Sequence, residues 1–523
     1  MNIDLNKTAL GIELGSTRIK AVLINENHEV LANGSYEWEN QYIDGFWTYN
    51  ENDIWLGLRE CYKNLKNNYF EKYNQIITKI GSIGISAMMH GYIVLDDKNK
   101  LLTNFRTWRN NNTEKDALEL TSILNNQIPA RWSIAHLYYA INQKEPYLDK
   151  INYQTTLAGY VHYMLTNQKV LGINDASGMF PIDINTHTYD EKAVSVFNDI
   201  IKKEGLNFRL EEIFPKVLTA GMEAGNLSKK GALLLDPTGD LKIGIPLAPP
   251  EGDAGTGMIS TNTIKVNTGN ISAGTSIFGM FVIDKKLSKI YPEVDIVTTP
   301  DGNLVSMIHV NNCTSDINMW INLFKEINSL FDNKIDDKTL YERLFKKALE
   351  GDKDAGNMAL INYISGENIT KIERGMPLFL RTVDSHFNLA NFMRLQIYSA
   401  FATLKIGMNI LTKNENISME NVLAHGGIFT TKNVAQRFLS AALELPVSVN
   451  DTANEGGPYG MAILAMYLLN KNNLSLNKYL DKLFKNNKVL TIKPSKEEVE
   501  GFNKFLSNYN KALELVKIAN EIL

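Results

Sequence analysis

The chain carries one short strand–turn–strand pattern twice, half its length apart. IELGSTRIKAVLI (Ile12–Ile24) aligns without a gap with ISAGTSIFGMFVI (Ile271–Ile283), so the two copies are offset by 259 residues. In each copy a glycine and two hydroxyl residues separate β-prone runs, which is typical of a hairpin. The repeat predicts a duplicated domain pair, in which the small turn residues and their N–H groups would allow a close approach to phosphate.

Short β-prone runs alternate with helical patterns along both halves, which predicts an α/β chain. The first half opens with a three-stranded antiparallel meander, followed by helices over Thr113–Asn125 and Trp132–Gln143. A short strand is predicted over Leu241–Pro250, where proline ends it. In the second half, residues 421–450 are predicted to form a strand–helix–strand unit, and Pro458–Asn470 a further helix.

The bulk composition excludes several classes of protein. With 523 residues, of which 44% are hydrophobic and 21% charged, the chain is long enough for two large globular domains. A net charge of −4 gives no basic footprint for nucleic acid or a membrane surface, and the apolar run Gly460–Leu469 is too short to cross a bilayer. Met1–Leu10 lacks a charged leader before a long apolar core, so a cytoplasmic protein is expected.

A glycine-rich segment, LAPPEGDAGTGMIS (Leu247–Ser260), holds two acids, Glu251 and Asp253. Its composition predicts a loop with one of three roles. The loop binds phosphate, it is a plain turn, or it presents one of the two acids to a substrate. No G-x-x-x-x-G-K-[ST] motif occurs in the chain, and Ser260 stands where a dinucleotide fingerprint has glycine or alanine. These observations disfavour a P-loop enzyme and a Rossmann dinucleotide site.

Charged residues accompany the two glycine–hydroxyl turns. Glu13 precedes the first turn and Lys20 follows it, while Asp253 lies 21 residues before Gly274. A phosphoryl-transfer site needs three kinds of group: an acid that positions hydrated Mg²⁺, a cation that faces the phosphates, and hydroxyl groups at a turn. Hairpin chemistry alone explains the glycines but leaves the flanking charges unexplained.

Four motifs spread between Gly11 and Ala462 resemble those of the FGGY carbohydrate kinases, within the wider actin, hexokinase and Hsp70-like ATPase superfamily. GIELGSTRIKAVLI resembles the first phosphate motif, and GISAMMHGYIVLD resembles the xylulokinase-type segment whose Met-His-Gly borders the sugar. EGDAGTGMIS followed by SAGTSIFG resembles the base-bearing loop and the second phosphate motif. AHGGIFTTKNVAQRFLSAALELPV and EGGPYGMAILA resemble the adenosine motif and the closing helix.

The resemblance implies two duplicated actin/hexokinase-like (ribonuclease H-like) α/β domains, 1–262 and 263–523, with the active site in the cleft between them. It implies an ATP-dependent kinase in which Asp253 is the catalytic base and contacts the sugar, and in which Glu13 positions Mg²⁺ through water. Glu251 is left as loop structure. Three further residues are implied to bind the sugar: Met89, His90 and Trp108. The residues implied to bind ATP are Gly15, Ser16, Thr17, Lys20, Gly274, Thr275, Gly426, Gly427 and Asn433.

Departures from the family pattern bear on the substrate. Glu13 replaces the usual aspartate, and Ala254 stands where asparagine or glutamine is common. RTWRNNNT (Arg106–Thr113) keeps Trp108 and its final threonine but loses an aspartate and an arginine. The expected reaction is phosphorylation of D-xylulose to D-xylulose 5-phosphate, and the family implies a homodimer. The alternatives are a kinase for L-ribulose, L-xylulose or another ketose or polyol, a catalytically weak sugar sensor, and an ATP-driven chaperone.

Overall fold

The structure is a computed structural model that describes residues 3–450 and 456–522, and these residues form two compact units. Each unit collects segments that are distant in sequence. As far as the ranges are described, the first unit takes in Met1–Ile264, Ile296–Val305 and Asn454–Asn486, and the second takes in Lys265–Asp295, Ser306–Ala453 and Asn487–Leu523. The domain division into 1–262 and 263–523 stays a prediction.

The strands build two large sheets and several two-stranded ribbons. In chain order they are β1 (Ala9–Leu14), β2 (Arg18–Ile24), β3 (Val30–Glu37), β4 (Gln41–Ile43), β5 (Phe46–Thr48), β6 (Ser82–Ala87), β7 (Ile93–Leu95), β8 (Tyr153–Thr155), β9 (Val170–Gly172), β10 (Ile182–Asp183), β11 (Thr188–Tyr189), β12 (Lys216–Leu218), β13 (Glu251–Gly252), β14 (Thr268–Ala273), β15 (Ile277–Val282), β16 (Asp295–Thr298), β17 (Leu304–Val310), β18 (Ala359–Ile361), β19 (Leu378–Leu380), β20 (Asn421–His425), β21 (Val447–Asn450) and β22 (Val489–Ile492).

The α-helices alternate with these strands and vary widely in length. In chain order they are α1 (Glu51–Tyr73), α2 (Glu114–Leu124), α3 (Ser133–Asn142), α4 (Leu157–Thr166), α5 (Ile173–Ser177), α6 (Glu191–Lys203), α7 (Leu210–Ile213), α8 (Lys229–Leu235), α9 (Asp253–Ser260), α10 (Ser315–Leu330), α11 (Asp337–Lys347), α12 (Leu389–Asn409), α13 (Ala435–Leu443), α14 (Gly457–Asn470), α15 (Leu476–Phe484) and α16 (Lys496–Ile522). No helix within 3–450 or 456–522 is long and apolar enough to cross a membrane.

The two large sheets repeat one topology. One sheet, in the first unit, has the strand order β13-β6-β1-β2-β3. The other has the order β16-β17-β15-β14-β20-β21-β22, and its strands β14, β15, β20, β21 and β22 belong to the second unit. In each sheet an antiparallel hairpin, β1–β2 or β14–β15, is followed by a strand, β6 or β20, that pairs in parallel with its first strand. β14 begins and ends 259 residues after β1, so the predicted repeat of two hairpins is confirmed.

Helix α14 packs closely in the first unit because glycines remove side chains where backbones meet. A Cβ at Gly11 of β1 would overlap the carbonyl oxygen of Pro458, and a Cβ at Gly460 of α14 would overlap that of Thr256 in α9. Neither position has room for a side chain. This approach brings the first turn of α14 to the end of β1, beside Glu13.

Several predicted elements are confirmed. Helices α2 and α3 lie within Thr113–Asn125 and Trp132–Gln143, and α14 begins one residue before the predicted start at Pro458. Strands β20 and β21 are parallel with α13 between them, which is the predicted strand–helix–strand unit. These elements have strong periodic patterns or clear turn residues at their ends.

The strand predicted over Leu241–Pro250 is wrong. This described stretch forms two isolated β-bridges, from Leu247 to Ile83 and from Pro246 to Asn226, and no continuous ladder. Three of its residues are prolines. Proline has no N–H to donate, so the segment cannot continue a ladder of hydrogen bonds.

The loop predicted over Leu247–Ser260 is also wrong, because β13 runs directly into α9. Glycine lowers helix propensity, which is why the composition favours a loop. The glycine at 255 is needed for packing instead, since a Cβ at Gly255 would overlap the side chain of Asn174. Glu251 is therefore a strand residue with no exposed surface, not loop structure.

Candidate active site

Three neighbouring strands of the first unit end in residues that the sequence analysis singles out. β6 pairs in parallel with β1 on one side and with β13 on the other. Glu13 lies near the end of β1. Met89 and His90 follow β6, and Asp253 follows β13. The carboxyl ends of parallel strands meet at one edge of a sheet, where ligands of open α/β sheets bind, so all four residues share such an edge.

Asp253 is the first residue of α9, directly after β13. Its Oδ1 atom accepts a hydrogen bond from the Met89 N–H at 3.2 Å. Burial raises the pKa of Asp253 to about 6, against the lowering effect of hydrogen bonds from the N–H groups of Met89 and Ala254. A carboxylate with this pKa is ionised at pH 7 and basic enough to accept a proton from a reacting hydroxyl group.

The Glu13 carboxylate is confined by its neighbours. Its residue is half-buried and pairs with Lys20 across β1 and β2. Burial first, and the charge of Asp253 second, raise the pKa of Glu13 to about 7, while Lys20 lowers it. On the α14 side, a Cβ at Gly457 would overlap the Oε2 atom of Glu13. Glu13 and Asp253 therefore repel each other unless a proton or a cation is present.

The carboxylates at this edge fit Mg²⁺ held jointly with a substrate. In the described part of the chain, no three His, Cys, Asp or Glu side chains are grouped so that they could hold a metal ion. Mg²⁺ is usually bound by one or two carboxylates together with substrate phosphates and water. Glu13 supplies such a carboxylate, and a cation beside it would relieve its repulsion with Asp253.

The His90 ring is fixed by the main chain of Gly178. Nδ1 lies 3.1 Å from the carbonyl oxygen of Gly178, and a carbonyl only accepts, so Nδ1 carries the proton. Burial, together with nearby Arg131, lowers the pKa of His90 to about 3, so the ring is neutral. The Trp132 ring stacks on it, with centroids 6.5 Å apart. Nε2 is then an acceptor, which suits a hydrogen bond from a hydroxyl group.

The turn Gly15-Ser16-Thr17 has its carbonyl groups bound by aromatic residues. Trp38 Nε1–H donates to Gly15 O at 2.7 Å, and the Trp38 N–H donates to Thr17 O at 3.2 Å. The Tyr49 hydroxyl donates to Ser16 O at 2.5 Å. The N–H groups of Ser16 and Thr17 make no hydrogen bond with any residue that the structure describes. A turn with carbonyls held by the protein and N–H groups unused is suited to an anion.

Trp108 lies beside this turn. Its Nε1–H donates to Ser16 Oγ at 3.1 Å. The guanidinium group of Arg109 lies 5.8 Å from the Trp108 ring centroid and 5.1 Å from that of Trp47. These contacts attach Trp108 to the first phosphate-motif turn, and a role for it in binding sugar stays a prediction.

The second turn, Gly274-Thr275-Ser276, is bound in a similar way within the second unit. Gly274 O accepts hydrogen bonds from the N–H of Thr314 at 3.2 Å and from its Oγ1 at 2.8 Å. Thr275 O accepts from the Cys313 N–H at 2.9 Å. A Cβ at Gly274 would meet no atom within 4 Å. Both hairpin turns thus have their carbonyls held from outside the hairpin.

A cavity of about 370 Å³ in the second unit adjoins the second turn. The residues that line it come from the start of α10, from α11 and from the segment after β20. They are Thr314, Asn318, Lys338, Tyr341, Glu342, Gly427, Thr430 and Thr431. Thr314 both lines the cavity and binds Gly274, so the cavity and the turn are contiguous.

The two adjacent glycines after β20 have different structural reasons. Gly426 has a φ of 117°, and a Cβ there would overlap the carbonyl oxygen of Ala273. Gly427 lines the cavity, and a Cβ there would meet no atom within 4 Å. Gly426 is thus required by the backbone, whereas Gly427 keeps cavity space open. Asn433 is exposed and does not line this cavity.

Sequence reasoning missed several residues at these sites. The motif EGGPYGMAILA includes Gly457, but no local pattern reveals its contact with Glu13, because the two residues are more than 400 positions apart in the chain. The cavity residues Asn318 and Tyr341 carry no motif of their own. The polar residues Asn174, Asp175 and Ser177, set among apolar residues in VLGINDASGMF, did carry a signal, because burial demands hydrogen-bond partners for them.

Comparison with known proteins agrees with the motifs and the topology. The chain matches the N-terminal domain of the FGGY family of carbohydrate kinases over residues 8–258 and its C-terminal domain over residues 269–469. The xylulose kinase of Haemophilus influenzae is 21% identical over 77% of this chain and 79% of its own length. The gluconokinase of Bacillus subtilis is 24% identical over 36% of this chain and 37% of its own.

A crystal structure of xylulose kinase from Rhodospirillum rubrum matches with a TM-score of 0.78 at 15% identity, covering 98% of this chain and 100% of that one. This likeness confirms the predicted fold class, two α/β domains of the actin/hexokinase type. Membership of a carbohydrate kinase family implies that the substrates are ATP and a sugar. The relatives are named for different acceptors, xylulose in one case and gluconate in the other. The chain belongs to the FGGY family of carbohydrate kinases.

Proposed function

We propose that this kinase transfers the γ-phosphoryl group of ATP to a ketopentose, with D-xylulose as substrate and D-xylulose 5-phosphate as product. The observation that carries the proposal is the placement of Asp253 with Met89 and His90 at the ends of two adjacent parallel strands. The xylulose kinase of Haemophilus influenzae, which aligns with most of the chain, supports the choice of sugar.

Asp253 is the base in this mechanism. The oxygen of the sugar hydroxyl forms a bond to the γ-phosphorus, the bond from that phosphorus to ADP breaks, and the proton moves to Asp253. Because the Met89 N–H holds Oδ1, we assign the proton to Oδ2. The pKa of about 6 keeps the carboxylate ionised and ready at pH 7.

His90 and Met89 orient the sugar. The neutral His90 ring accepts a hydrogen bond from a sugar hydroxyl at Nε2, since Nδ1 is committed to Gly178. Met89 is buried and packs beside the reacting centre, and its N–H fixes the base. A base and an orienting ring on adjacent strand ends lower the entropy cost of bringing hydroxyl and base together.

The phosphate groups of ATP are bound by the two hairpin turns. The N–H groups of Ser16 and Thr17 in the first turn and of Thr275 in the second donate to phosphate oxygens. The N–H groups of Gly15 and Gly274 bind carbonyl oxygens within their own hairpins, so these two glycines contribute by leaving room for the phosphate. Mg²⁺ bound with ATP offsets negative charge on the phosphates, and Glu13 is the residue that would hold it, through water. Lys20, opposite Glu13, adds positive charge to the first turn. The cavity lined by Gly427 receives the adenosine.

A panel of sugars tests the proposal directly. ADP release is coupled to a spectroscopic assay with D-xylulose, L-xylulose, L-ribulose, gluconate and glycerol, each at varied concentration. We expect kcat/KM for D-xylulose to exceed that of every other acceptor. ATP hydrolysis that ignores the sugar would contradict a sugar kinase, and sugar binding without turnover would indicate a sensor.

L-ribulose is the second candidate within the same reaction. Ala254 follows the base directly, where family members commonly carry an amide that contacts the sugar. Without that amide the site lacks one polar group that could contact the sugar, so its choice among pentuloses can differ from that of the family. A higher kcat/KM for L-ribulose than for D-xylulose in the same panel would replace the sugar while leaving the mechanism intact.

A further inference from the structure

One short segment of the first unit touches both the base and the sugar-orienting ring. Helix α5 and the residue after it lie between them: Asn174 Oδ1 accepts the Gly255 N–H at 3.1 Å, and Gly178 O accepts from His90 at 3.1 Å. Gly255 is in the first turn of α9, two residues after Asp253. A shift of this segment would therefore move both groups together.

Glu251 attaches this segment to β13, the strand that directly precedes Asp253. Its Oε2 atom accepts the Asp175 N–H at 3.2 Å. Its carboxyl group occupies the space where a Cβ of Gly172 would lie, so Gly172 cannot carry a side chain. Glu251 is completely buried, and its Oε1 has no hydrogen-bond partner in the described ranges.

A carboxyl group is a costly choice for this position. Burial, and the neighbouring Asp175, hold the pKa of Glu251 well above its usual range, so the group is neutral. A buried polar group that is not fully hydrogen-bonded destabilises the folded state, and a leucine of similar volume would avoid that cost. What leucine cannot supply is an acceptor for the Asp175 N–H.

We propose that Glu251 is a positioning residue, whose hydrogen bond to the main chain of α5 holds Asp253 and His90 in register. The proposal rests on the proposed function, because it takes Asp253 as the base. It assigns Glu251 no contact with sugar or ATP. The residue acts through the backbone of α5 and through the one residue, Gly252, that separates it from Asp253.

Two substitutions of similar size separate hydrogen bonding from packing. Glu251→Gln keeps an acceptor for the Asp175 N–H, and Glu251→Leu fills the space without one. We expect Glu251→Leu to lower kcat by about 10- to 100-fold, the size of effect that a small misplacement of a catalytic group produces. KM for ATP should stay unchanged, and Glu251→Gln should keep kcat close to that of the unmodified enzyme.

A third variant leaves Glu251 in place. Gly172→Ala adds a methyl group where the Glu251 carboxyl lies, so it should displace the carboxyl and lower kcat in the same way. This variant decides the question if Glu251→Leu does not fold. Full kcat in a folded Glu251→Leu or Gly172→Ala enzyme would overturn the proposal. So would equal losses of kcat in Glu251→Leu and Glu251→Gln.

Measuring Asp253→Asn in the same assay keeps the two proposals apart. If Asp253→Asn turns over normally, the assignment of the base fails. If Asp253→Asn is inactive while Glu251→Leu is fully active, only the positioning role fails. Unfolding midpoints of all variants, measured in urea, identify any loss of activity that follows from a loss of folded protein.

Discussion

The backbone of Gly457 lies directly against the carboxylate of Glu13, so that a Cβ added at Gly457 would overlap Oε2. Any side chain there must push the carboxylate away. Glutamate is one methylene longer than the aspartate that the family usually has at this position, and the missing side chain at Gly457 leaves room for the extra length. The two residues are therefore matched in size.

Gly457→Ala is expected to lower kcat by roughly 100-fold, because its methyl group displaces the carboxylate that we assign to Mg²⁺. The Mg²⁺ concentration that gives half-maximal rate should rise as well. Adding Glu13→Asp shortens the acid and should restore part of the lost rate. Steady-state rates across a Mg²⁺ titration measure both effects, and an unchanged kcat in Gly457→Ala would contradict the assignment of Glu13.

Asp253→Asn should reduce kcat by about 10²- to 10⁴-fold, the usual contribution of a general base. ATP binding, measured by isothermal titration calorimetry, should be nearly unaffected, since the cavity that we propose for adenosine is lined by residues of the second unit. Asp97→Asn is the matched control, because the same chemical change falls on an exposed turn residue after β7. Near-normal turnover of Asp253→Asn would refute its role as the base.

The rate should depend on pH through the ionisation of Asp253. Burial raises its pKa to about 6, and only the ionised form accepts a proton. Plotted against pH at saturating Mg²⁺ and ATP, kcat/KM for the sugar should therefore be level above about pH 6 and fall about tenfold per pH unit below it. A profile that stays flat down to pH 4.5 would mean that no group of this kind limits the reaction.

The hairpin repeat was predictable because it rests on local pattern. A glycine and two hydroxyl residues between β-prone runs define β1–β2 and β14–β15, and this pattern is visible within Ile12–Ile24 and Ile271–Ile283. Two similar hairpins at an offset of 259 residues predict a duplicated sheet, and the strand order that the two sheets share confirms it.

The surroundings of the candidate base were not predictable in the same way. Glycines in DAGTGMIS lower the local helix propensity. Helix α9 forms nevertheless, because it is stabilised by close packing against Asn174 and α14, and that packing leaves no room for larger side chains. Likewise, a glutamate at 251 gives no local sign that it is buried. Its environment is set by Gly172 and Asp175, which lie more than 70 residues earlier in the chain.

Asp175 should make the folded state less stable as pH rises. Burial raises its pKa to about 8, with a smaller contribution from Asp253 and against the hydrogen bond from Thr156. The native state then keeps a proton that the unfolded chain loses near pH 4, so stability falls between these values by about 1.4 kcal/mol per pH unit for this group. Asp175→Asn has no such proton.

Urea unfolding at pH 5, 6 and 7 measures the difference. Unmodified protein should lose stability with rising pH more steeply than Asp175→Asn, by about 1.4 kcal/mol per pH unit. Contributions from groups that do not interact with Asp175 are common to both proteins and cancel in the comparison. Parallel slopes would show that Asp175 is already ionised in the native state.

Substitutions at Gly427 should weaken ATP binding in proportion to side-chain size. Its Cβ would meet no atom within 4 Å, and it lines the 370 Å³ cavity, so a larger side chain fits the protein without ligand but fills the space of the ligand. KM for ATP should rise in the order Ala, Val, Leu, reaching at least about tenfold for Gly427→Leu, which corresponds to about 1.4 kcal/mol. KM for the sugar should not change.

Gly426→Ala provides the contrast to this series. Its φ of 117° and the overlap of its Cβ with the carbonyl oxygen of Ala273 make any substitution a strain on the backbone. We expect Gly426→Ala to lower the urea midpoint, whereas Gly427→Ala should leave it unchanged. A branched side chain cannot share that space with an adenosine. An unaltered KM for ATP in folded Gly427→Leu would therefore show that the cavity does not bind the nucleotide.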